Sequence, residues 1–525
     1  MVKRIKIFLL LAIVWLGSGG SVVAAPKAIY GEDGALLSDV ATYLGSGQYT
    51  HENGQLLEAG VRMPQGIAFS PDGTLLVADT RNQLIKRVKG EQVTTYAGIE
   101  GLPVDGFGLP VGALLDGTAK EAAFQRPQGI AVSEDGSVYV ADTNNHAIRR
   151  ISPEGEVTTL AGDGIAGSRD GSGKKARFNH PADVAVAKDG TIYVADSGNH
   201  LIRRIVAGEV ETLTAASARY IEAVEGVPLL AGDYADGALT KAKFNEPSGL
   251  ALDAAGNLYV SDTGNHLIRY LNFTTNKVST VAGDIAAVKK AQRGQEQFAE
   301  GAFVDGASQT ARFNGPKGLA VTAEGGVVIA DSRNHAIRYL FKGTVMTLAG
   351  SERGEAGDRD GINGQNRFYE PTDVAVNENG EVYIADSGNN LIKKWSLYQL
   401  PELPRNNEIK VVYGQKLILF DTQPELKNNS RTMVPVRAVV EAFGYTSNYQ
   451  KQTVTLEKGN TSIEMRVGSR TMKVVKGNET YTKELDIAPY IKDERFMVPI
   501  RFFSEEFGLE VHWYGPLRTV ILRDK

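Results

Sequence analysis

Residues 127–149 read Pro127-Gln-Gly-Ile-Ala-Val-Ser-Glu-Asp-Gly-Ser-Val-Tyr-Val-Ala-Asp-Thr-Asn-Asn-His-Ala-Ile-Arg149. Related stretches begin at five other prolines, so that successive copies start 54 to 69 residues apart: Pro64, Pro181, Pro247, Pro316 and Pro371. Self-similarity at such a period predicts a repeat architecture, in which each copy is one structural unit.

Each unit reads as four short strands. The first is the Gly-Ile-Ala-Val run, which ends at the turn Asp135-Gly136, and the second is Val138–Asp142. A polar turn leads to a third strand, Ala147–Ile151, and a further turn to a fourth, Val157–Gly162. Short alternating strands separated by Asp-Gly and Asn-Asn turns predict an antiparallel meander. Such a meander repeated around an axis is a propeller blade.

Six units predict an all-β propeller of six blades, closed by the N-terminal segment. The fourth-strand pattern follows units one to five, at Val93–Gly98, Val157–Gly162, a divergent copy ending near Gly232, Val278–Gly283 and Val345–Gly350. The sixth unit ends at Trp395 without this pattern, and a matching piece, Val40–Gly45, precedes the first unit. We therefore expect Val40–Gly45 to complete the sixth blade, since a free sheet edge would otherwise be exposed.

The repeats resemble the NHL family. The resemblance rests on the Asn-His-x-Ile-Arg motif at Asn145–Arg149, Asn199–Arg203, Asn265–Arg269 and Asn334–Arg338, with Asn82–Lys86 and Asn389–Lys393 at the same place in units one and six. It covers roughly residues 40–395 and implies an NHL-type β-propeller. The fold alone does not imply a function, because propellers host many unrelated activities.

The N-terminus predicts export. Lys3, Arg4 and Lys6 precede an apolar run from Ile7 to Leu16, and small residues end at Ala25. This is typical of a secretory signal peptide over residues 1–25. The alternative is a retained membrane anchor, but the run of about 10 residues is short for a span of about 20. We expect a secreted or cell-surface protein of the bacterial envelope, from a Gram-positive source.

The charge distribution argues against nucleic acid as a partner. Residues 409–525 hold 18 Lys and Arg against 14 Asp and Glu, which leaves 39 against 48 for the remainder of the chain. The repeat region is thus acidic, whereas nucleic-acid binding rests on neutralising phosphates. The chain has no cysteine, which excludes disulfides and thiolate metal sites.

The region after the repeats predicts a second, α+β domain. Residues 396–408 contain two prolines and read as a linker. Over residues 409–525 one motif occurs twice, at Arg431–Gly444 and Arg495–Gly508, as an extended Met-Val-Pro entry followed by a short helix that Gly ends.

This domain resembles the copper amine oxidase N-terminal-like, or stalk, domain. The resemblance is to a non-catalytic appendage of the oxidase. Residues 396–525 contain one histidine, His512, and the sole Asn-Tyr is followed by Gln450. Imidazole ligands for copper are therefore lacking, and amine oxidase activity is not expected.

Two acidic residues break the symmetry of the repeats. Two positions after the opening proline, four units have glycine, at Gly66, Gly129, Gly249 and Gly318. Units three and six have Asp183 and Asp373 instead. Their carboxylates are expected to face each other across the top of the channel, where they could hold a hydrated Ca²⁺ or Mg²⁺ ion or a cationic ligand. The alternative is that each accepts hydrogen bonds from nearby backbone amides.

Other repeated residues are interpreted as structural. The histidines of the top-face turns, His146, His200, His266 and His335, are expected to lie on the order of 10 Å apart, given about 4.7 Å between strands, so they cannot share one metal ion. An Asp and a basic residue seven positions apart, such as Asp142 and Arg149, predict an Asp that caps the turn and pairs across it. The Asp-Gly…Phe element, as in Asp116-Gly117…Phe124, predicts a helical cap and a plug between blades.

The sequence contains no catalytic signature. We therefore expect a non-enzymatic binding or scaffold protein that presents the top face of its propeller to a protein, peptide or glycan at the cell envelope, without a cofactor. The alternative is a metal-dependent hydrolase or lyase with a divalent ion at Asp183 and Asp373. That class is suggested by the similarity of NHL propellers to peptidylglycine-amide lyases and of other six-bladed propellers to lactonases.

Overall fold

A computed structural model describes residues 37–224, 226–427 and 431–524, so the signal peptide predicted at residues 1–25 lies outside the described residues. Six antiparallel five-stranded sheets form the blades of a propeller, and the innermost strand of each blade lies beside those of its two neighbours. The predicted six-bladed propeller is confirmed.

Strand 1 of each blade lines the axis and strand 4 lies near the outer edge. From blade 1 to blade 6, strand 1 spans Gly66–Phe69, Pro127–Val132, Pro181–Val186, Pro247–Leu252, Pro316–Val321 and Pro371–Val376. Strand 2 spans Leu75–Asp79, Val138–Asp142, Ile192–Asp196, Leu258–Asp262, Val327–Asp331 and Val382–Asp386. Strand 3 spans Leu84–Lys89, Ala147–Ile151, Leu201–Val206, Leu267–Asn272, Ala336–Phe341 and Leu391–Leu397. Strand 4 spans Gln92–Ala97, Glu156–Ala161, Glu209–Thr212, Lys277–Ala282, Thr344–Gly350 and Ser38–Leu44.

A fifth, two-residue strand borders each blade, and the sequence did not predict it. These strands are Gly54–Gln55, Gly117–Thr118, Gly171–Ser172, Gly237–Ala238, Gly306–Ala307 and Gly361–Ile362. Five of them are the Gly-x part of the Asp-Gly elements, so the prediction of a helical cap at these aspartates is wrong. The phenylalanine of each element is buried between neighbouring blades as predicted, as at Phe124, Phe178, Phe244, Phe313 and Phe368.

The N-terminal strand closes the ring. Ser38–Leu44 pairs antiparallel with strand 3 of blade 6, from Ser38 opposite Leu397 to Leu44 opposite Ile392. It is the fourth strand that blade 6 lacks, which confirms the predicted closure. Strand 3 of blade 6 runs to Leu397, so it enters the first two residues of the stretch that was predicted as a linker.

The structure of blade 3 differs from the prediction in the position of its fourth strand. Its fourth strand is Glu209–Thr212, and the copy ending near Gly232 belongs to a hairpin inserted in the connection to blade 4. In this hairpin Arg219–Val224 pairs with Val227–Ala231. The insertion follows Thr212, inside the fourth-strand pattern. The last residues of that pattern, Leu230-Ala231-Gly232, therefore stand at the end of the inserted hairpin. The other long insertion forms the helix Ile285–Arg293, which Asp284 caps by accepting from the amides of Ala286 and Ala287.

In its described residues the C-terminal domain contains three sheets, two α-helices and the 3-10 helix Gly515–Leu517. The first sheet holds Lys416–Ile418, Lys410–Tyr413, Thr519–Asp524 and Leu509–Tyr514, and the second holds Glu425–Lys427, Arg431–Pro435, Arg495–Pro499 and Tyr490–Lys492. The third is a meander of Thr446–Gln450, Thr453–Lys458, Thr461–Arg466, Thr471–Lys476 and Glu479–Glu484. The α-helices are Val436–Ala442 and Arg501–Glu506. The two copies of the Met-Val-Pro motif pair with each other, with Val434 opposite Val498.

The C-terminal domain packs against the closing strand of the propeller. Arg523 forms ion pairs with Asp39 and with Glu510, the latter at 3.1 Å. Ile521 joins Leu37 and Ile362 in a buried apolar cluster against which Tyr398 packs. These contacts lie where the closing strand begins, at the lower outer edge of blade 6. The first residues of the predicted linker are therefore part of an interface between the domains.

Candidate functional site

The top face of the propeller is defined as the face that carries the turns between strands 2 and 3. Each turn is a short 3-10 helix, and its last asparagine donates from Nδ2 to a backbone carbonyl of an inter-blade connection. The bonds measure 2.6–3.0 Å and join Asn82 to Thr50, Asn145 to Ala113, Asn199 to Gly167, Asn265 to Asp233, Asn334 to Ala302 and Asn389 to Gly357. The connections are thus fastened to rigid turns, a common arrangement for binding loops.

Exposed apolar side chains are concentrated on these connections. Phe107 is 91% exposed and Tyr220, on the inserted hairpin, is 65% exposed. Among the described propeller residues, thirteen of the fourteen exposed large hydrophobic side chains lie on connections: Tyr49, Leu57, Val104, Phe107, Val111, Leu115, Ile165, Tyr220, Val227, Leu229, Leu230, Val304 and Tyr369. The exception is Val206, at the end of strand 3 of blade 3. Apolar side chains exposed on fastened loops are available for contact with a partner.

The histidines of the turns join neighbouring blades. The residue after each 3-10 turn has a left-handed backbone, with φ between 51° and 59°, at Gln83, His146, His200, His266, His335 and Asn390. Its side chain accepts a hydrogen bond from the backbone N–H that precedes the first proline of the next blade. The donors, from blade 2 round to blade 1, are Arg126, His180, Glu246, Gly315, Glu370 and Met63, at 2.5–3.1 Å. The shared requirement is therefore a hydrogen-bond acceptor, which imidazole Nδ1 and a side-chain amide oxygen both satisfy.

This role requires neutral histidine. A ring whose Nδ1 accepts a hydrogen bond carries its proton on Nε2, and Nε2 of His266 lies 2.9 Å from the carbonyl of Ala299. Burial lowers the pKa of His146, His200 and His335. The same cause lowers the pKa of His266 to about 4. Protonation would convert the acceptor into a donor that faces another donor.

We expect the variant His266→Gln to remove part of the acid sensitivity of the propeller. The pKa of His266 is about 4 in the folded state, below about 6.5 for an unperturbed histidine, so its contribution to stability is complete above pH 6.5 and is lost as the pH falls toward 4. That loss is on the order of 2–3 kcal/mol, and glutamine, which Gln83 represents naturally, does not titrate. Denaturant unfolding from pH 7 to about pH 4 measures the difference between the two proteins.

The comparison isolates the histidine because both proteins share all buried aspartates. Glutamine also loses the contact with Ala299, but that loss is independent of pH. If the difference in unfolding free energy between the two proteins were constant with pH, the acceptor role of His266 would be wrong.

The repeated Asp and basic residue form a buried ion pair in blades 2 to 6, whereas Lys86 of blade 1 donates to the carbonyl of His51 and to Asn53 Oδ1. In blade 2, Arg149 Nη1 lies 2.8 Å from Asp142 Oδ2 and Nη2 lies 2.9 Å from Asp116 Oδ1. The guanidinium also lies over the ring of Phe124. Asp142 makes no hydrogen bond to the turn backbone, so the predicted turn cap is wrong; its Oδ1 accepts from the amide of Gln125 instead. Burial raises the pKa of Asp142 to about 6.

Asp183 and Asp373 line one small space at the channel axis, here called the channel neck, and each links two blades. Asp183 accepts from the amides of Val184 and, in blade 4, Leu250, both at 2.8 Å. Asp373 accepts from Val374 at 2.9 Å and, in blade 1, from Ile67 at 2.8 Å. All four carboxylate oxygens therefore receive a backbone N–H. The cation or cationic ligand proposed at this pair stays a prediction.

The neighbouring glycines make room for these carboxyls. A Cβ built on Gly129 would lie 2.0 Å from Asp183 Oδ1, and one built on Gly318 would lie 1.9 Å from Asp373 Oδ1. A Cβ on Gly66 would lie 2.1 Å from the carbonyl oxygen of Gln128. The order Gly-Gly-Asp thus occurs twice around the ring, so the channel neck has approximate two-fold symmetry.

The channel neck encloses a small space of about 50 Å³, lined among others by Asp183, Asp373 and Lys317. Burial, together with the charge of Asp373, raises the pKa of Asp183 well above its usual range. Burial raises the pKa of Asp373 to about 7 and lowers that of Lys317. In the part of the chain that the structure describes, no three histidine or acidic side chains are grouped so that they could hold a metal ion.

Comparison with known proteins identifies both regions. The NHL repeat matches six stretches, at 61–87, 124–151, 178–205, 244–269, 313–338 and 368–395. The copper amine oxidase N-terminal domain matches residues 411–522. Both resemblances stated from the sequence are confirmed.

Among the relatives, NHL repeat-containing protein 2 of Homo sapiens is 30% identical over 436 residues, or 77% of this chain and 56% of that protein. Protein SUPPRESSOR OF QUENCHING 1, chloroplastic, of Arabidopsis thaliana is 32% identical over 53% of this chain and 26% of its own length. The chain thus spans about a quarter to just over half of these relatives. An auxiliary nutrient binding protein of Bacteroides thetaiotaomicron is 16% identical in structure comparison, with a TM-score of 0.48 over 68% of this chain and 76% of that chain.

Proposed function

We propose that this chain, six NHL repeats followed by a copper amine oxidase N-terminal domain, is a non-enzymatic binding protein whose propeller top face recognises a partner protein. The observation that carries the proposal is the exposure of apolar side chains on inter-blade connections that are fastened to the top-face turns. They extend over connections from several blades, including Phe107, Ile165 and Tyr220. An apolar surface spread over several loops fits a macromolecular partner better than a small ligand.

The position of the C-terminal domain supports this use of the top face. The domain is held through Arg523 and Ile521 at the start of the closing strand, and through Glu510 to Arg359 on the connection from blade 5 to blade 6. The connections that carry Phe107, Ile165 and Tyr220 belong to blades 1 to 4, away from these contacts. The part of the copper amine oxidase to which it is similar is not the catalytic part, which agrees with a supporting role.

The proposal includes presentation at the cell envelope after export. Its support is the basic and apolar pattern of residues 1–25, which resembles a signal peptide. Within the described residues, none of the helices has the length and apolarity that a membrane crossing requires.

The alternative function, a metal-dependent hydrolase or lyase, would have to use Asp183 and Asp373. Their four oxygens already accept from backbone amides of four residues in four blades. A cation there would share those oxygens with the hydrogen bonds that join the blades. This arrangement favours the binding function.

Capture by the immobilised protein tests the proposal. The unaltered protein and the triple variant Phe107→Ser/Ile165→Ser/Tyr220→Ser are each exposed to an envelope fraction of the source organism. We expect the triple variant to retain at least tenfold less partner than the unaltered protein, because the apolar contact area is removed. The matched control is Val206→Ser/Leu419→Ser/Ile491→Ser, which removes exposed apolar side chains away from the top face. Quantitative mass spectrometry measures the retained proteins. Equal retention by the top-face variant and the control would contradict the proposal.

A further inference from the structure

A small pocket of about 140 Å³ lies on the top face where blades 1 and 2 meet. Its outer wall is the connection between these blades, where Asp105 accepts hydrogen bonds from the amides of Phe107 and Leu109 at 2.9 and 3.0 Å. Its inner wall is formed by the 3-10 turns of both blades and by the residues that precede the first proline of blade 2. The inner wall therefore belongs to the rigid part of the propeller.

Four side chains that can donate hydrogen bonds line the inner wall, and in the described part of the chain none of these side chains has a hydrogen-bond or ion-pair partner. They are Arg81, Gln125, Arg126 and Asn144, and each is partly exposed. The one carboxylate of the lining, Asp105, forms no ion pair with either arginine among the described residues. The pocket therefore has two positive charges against one negative charge, and its donors are available to a ligand.

The other blade boundaries do not bring two arginines together. Arg81 stands two residues before Gln83, whose Oε1 accepts a hydrogen bond from the amide of Arg126 at 2.5 Å. The pairs at the same two positions of the other five boundaries are Asn144 with His180, Gly198 with Glu246, Gly264 with Gly315, Arg333 with Glu370 and Gly388 with Met63. The other arginine of this set is thus placed with a glutamate. Two guanidinium groups that line one small pocket repel each other unless an anion lies between them.

We propose that this pocket binds one oxyanion, either a carboxylate or a phosphate group. Arg81 and Arg126 would supply the charge, because planar guanidinium groups bind the oxygens of both anions through paired N–H donors. The side-chain amides of Gln125 and Asn144 would donate the remaining hydrogen bonds. The volume fits a single anionic group. The proposal goes beyond the proposed function, because a free anion can occupy the pocket whether or not the top face recognises a protein.

Ligand-observed NMR titrations on the full chain, at low ionic strength and about pH 7, test the proposal with inorganic phosphate and acetate as probes. We expect at least one of the two anions to bind, and the anion that binds more tightly identifies the group that the pocket prefers. The double variant Arg81→Gln/Arg126→Gln should bind that anion at least tenfold more weakly, because it lacks both charged donors. An unchanged thermal midpoint shows that the variant is folded.

Two further variants separate anion binding from a structural role of the arginines. Arg126→Glu gives the pocket the combination that Arg333 and Glu370 have at the boundary of blades 5 and 6, and the backbone φ of 51° at Arg126 is close to the 50° of Glu370. It should abolish anion binding while the thermal midpoint stays at or above that of the unaltered protein. The matched control Arg333→Gln removes a guanidinium from the same position of another turn and should leave binding unchanged. Absence of binding by both anions, equal binding by Arg126→Glu or the double variant, or an equal loss in Arg333→Gln would overturn the proposal.

Discussion

Replacing Arg149 by methionine is expected to destabilise the propeller by about 3–5 kcal/mol, because it leaves a buried aspartate without its cation. Asp142 is fully buried, and Arg149 is its ion-pair partner in blade 2. The same guanidinium also binds Asp116 and donates to the carbonyls of Ala123 and Leu115. Methionine fills part of the volume over Phe124 but supplies none of these donors.

The neighbouring residue provides the control. Arg150 is only half-buried and donates to Ser137, so Arg150→Met should cost less than about 1 kcal/mol. Arg149→Lys should fall between the two, since Lys86 and Lys393 occupy this place in blades 1 and 6. Denaturant unfolding followed by the fluorescence of Trp395, buried in blade 6, measures all three and reports whether the ring unfolds as one unit. Equal effects of Arg149→Met and Arg150→Met would show that the buried network contributes little.

The variant Gly129→Ala is expected to cost about 2–3 kcal/mol, since it inserts a methyl group where two blades meet. Its Cβ would lie 2.5 Å from the Cα of Asp183 as well as 2.0 Å from Oδ1, so a rotation of the side chain cannot relieve the contact. Blades 2 and 3 must separate at the channel neck, which also strains the hydrogen bond from Leu250 to Asp183.

Gly106→Ala is the matched control because nothing lies within 4 Å of its Cβ position. It should leave the unfolding midpoint nearly unchanged. Gly318→Ala should reproduce the effect of Gly129→Ala, because Gly318 faces Asp373 in the same way. A neutral Gly129→Ala would mean that the channel neck is not closely packed and that the approximate two-fold symmetry has no structural consequence.

The six-bladed architecture could be predicted from the repeats because every blade has the same pattern of strands and turns. The alternation in Val138–Asp142 and the turn after it predict a meander in every copy, and the missing fourth strand after Trp395 predicts closure by the N-terminal segment. The fifth strand was missed because two residues, such as Gly117–Thr118, have no periodicity. The hairpin in blade 3 was misassigned because its return strand keeps the Leu-Ala-Gly ending of an ordinary fourth strand.

The chemical role of the turn residues was only partly predictable. The repeated His at His146 suggested a structural role, yet its partner is a backbone amide of the next blade, 34 residues away. The replacement of histidine by Gln83 in blade 1 and by Asn390 in blade 6 was the sequence signal for this role. Histidine and the carboxamide side chains can all accept a hydrogen bond, whereas only histidine can become charged. The contact of Arg523 with Asp39 joins residues 484 apart and follows no sequence pattern, so the docking of the C-terminal domain could not be predicted.

Hydrogen exchange on the complex with a captured partner protein maps the recognition surface. We expect the partner to slow exchange in the inter-blade connections, above all in residues 98–116, 162–170 and the hairpin from Arg219 to Ala231. Exchange at the lower turns of the blades and in residues 409–524 should stay as in the free protein. Protection confined to the lower face or to the C-terminal domain would contradict the claim that the top face is the recognition surface.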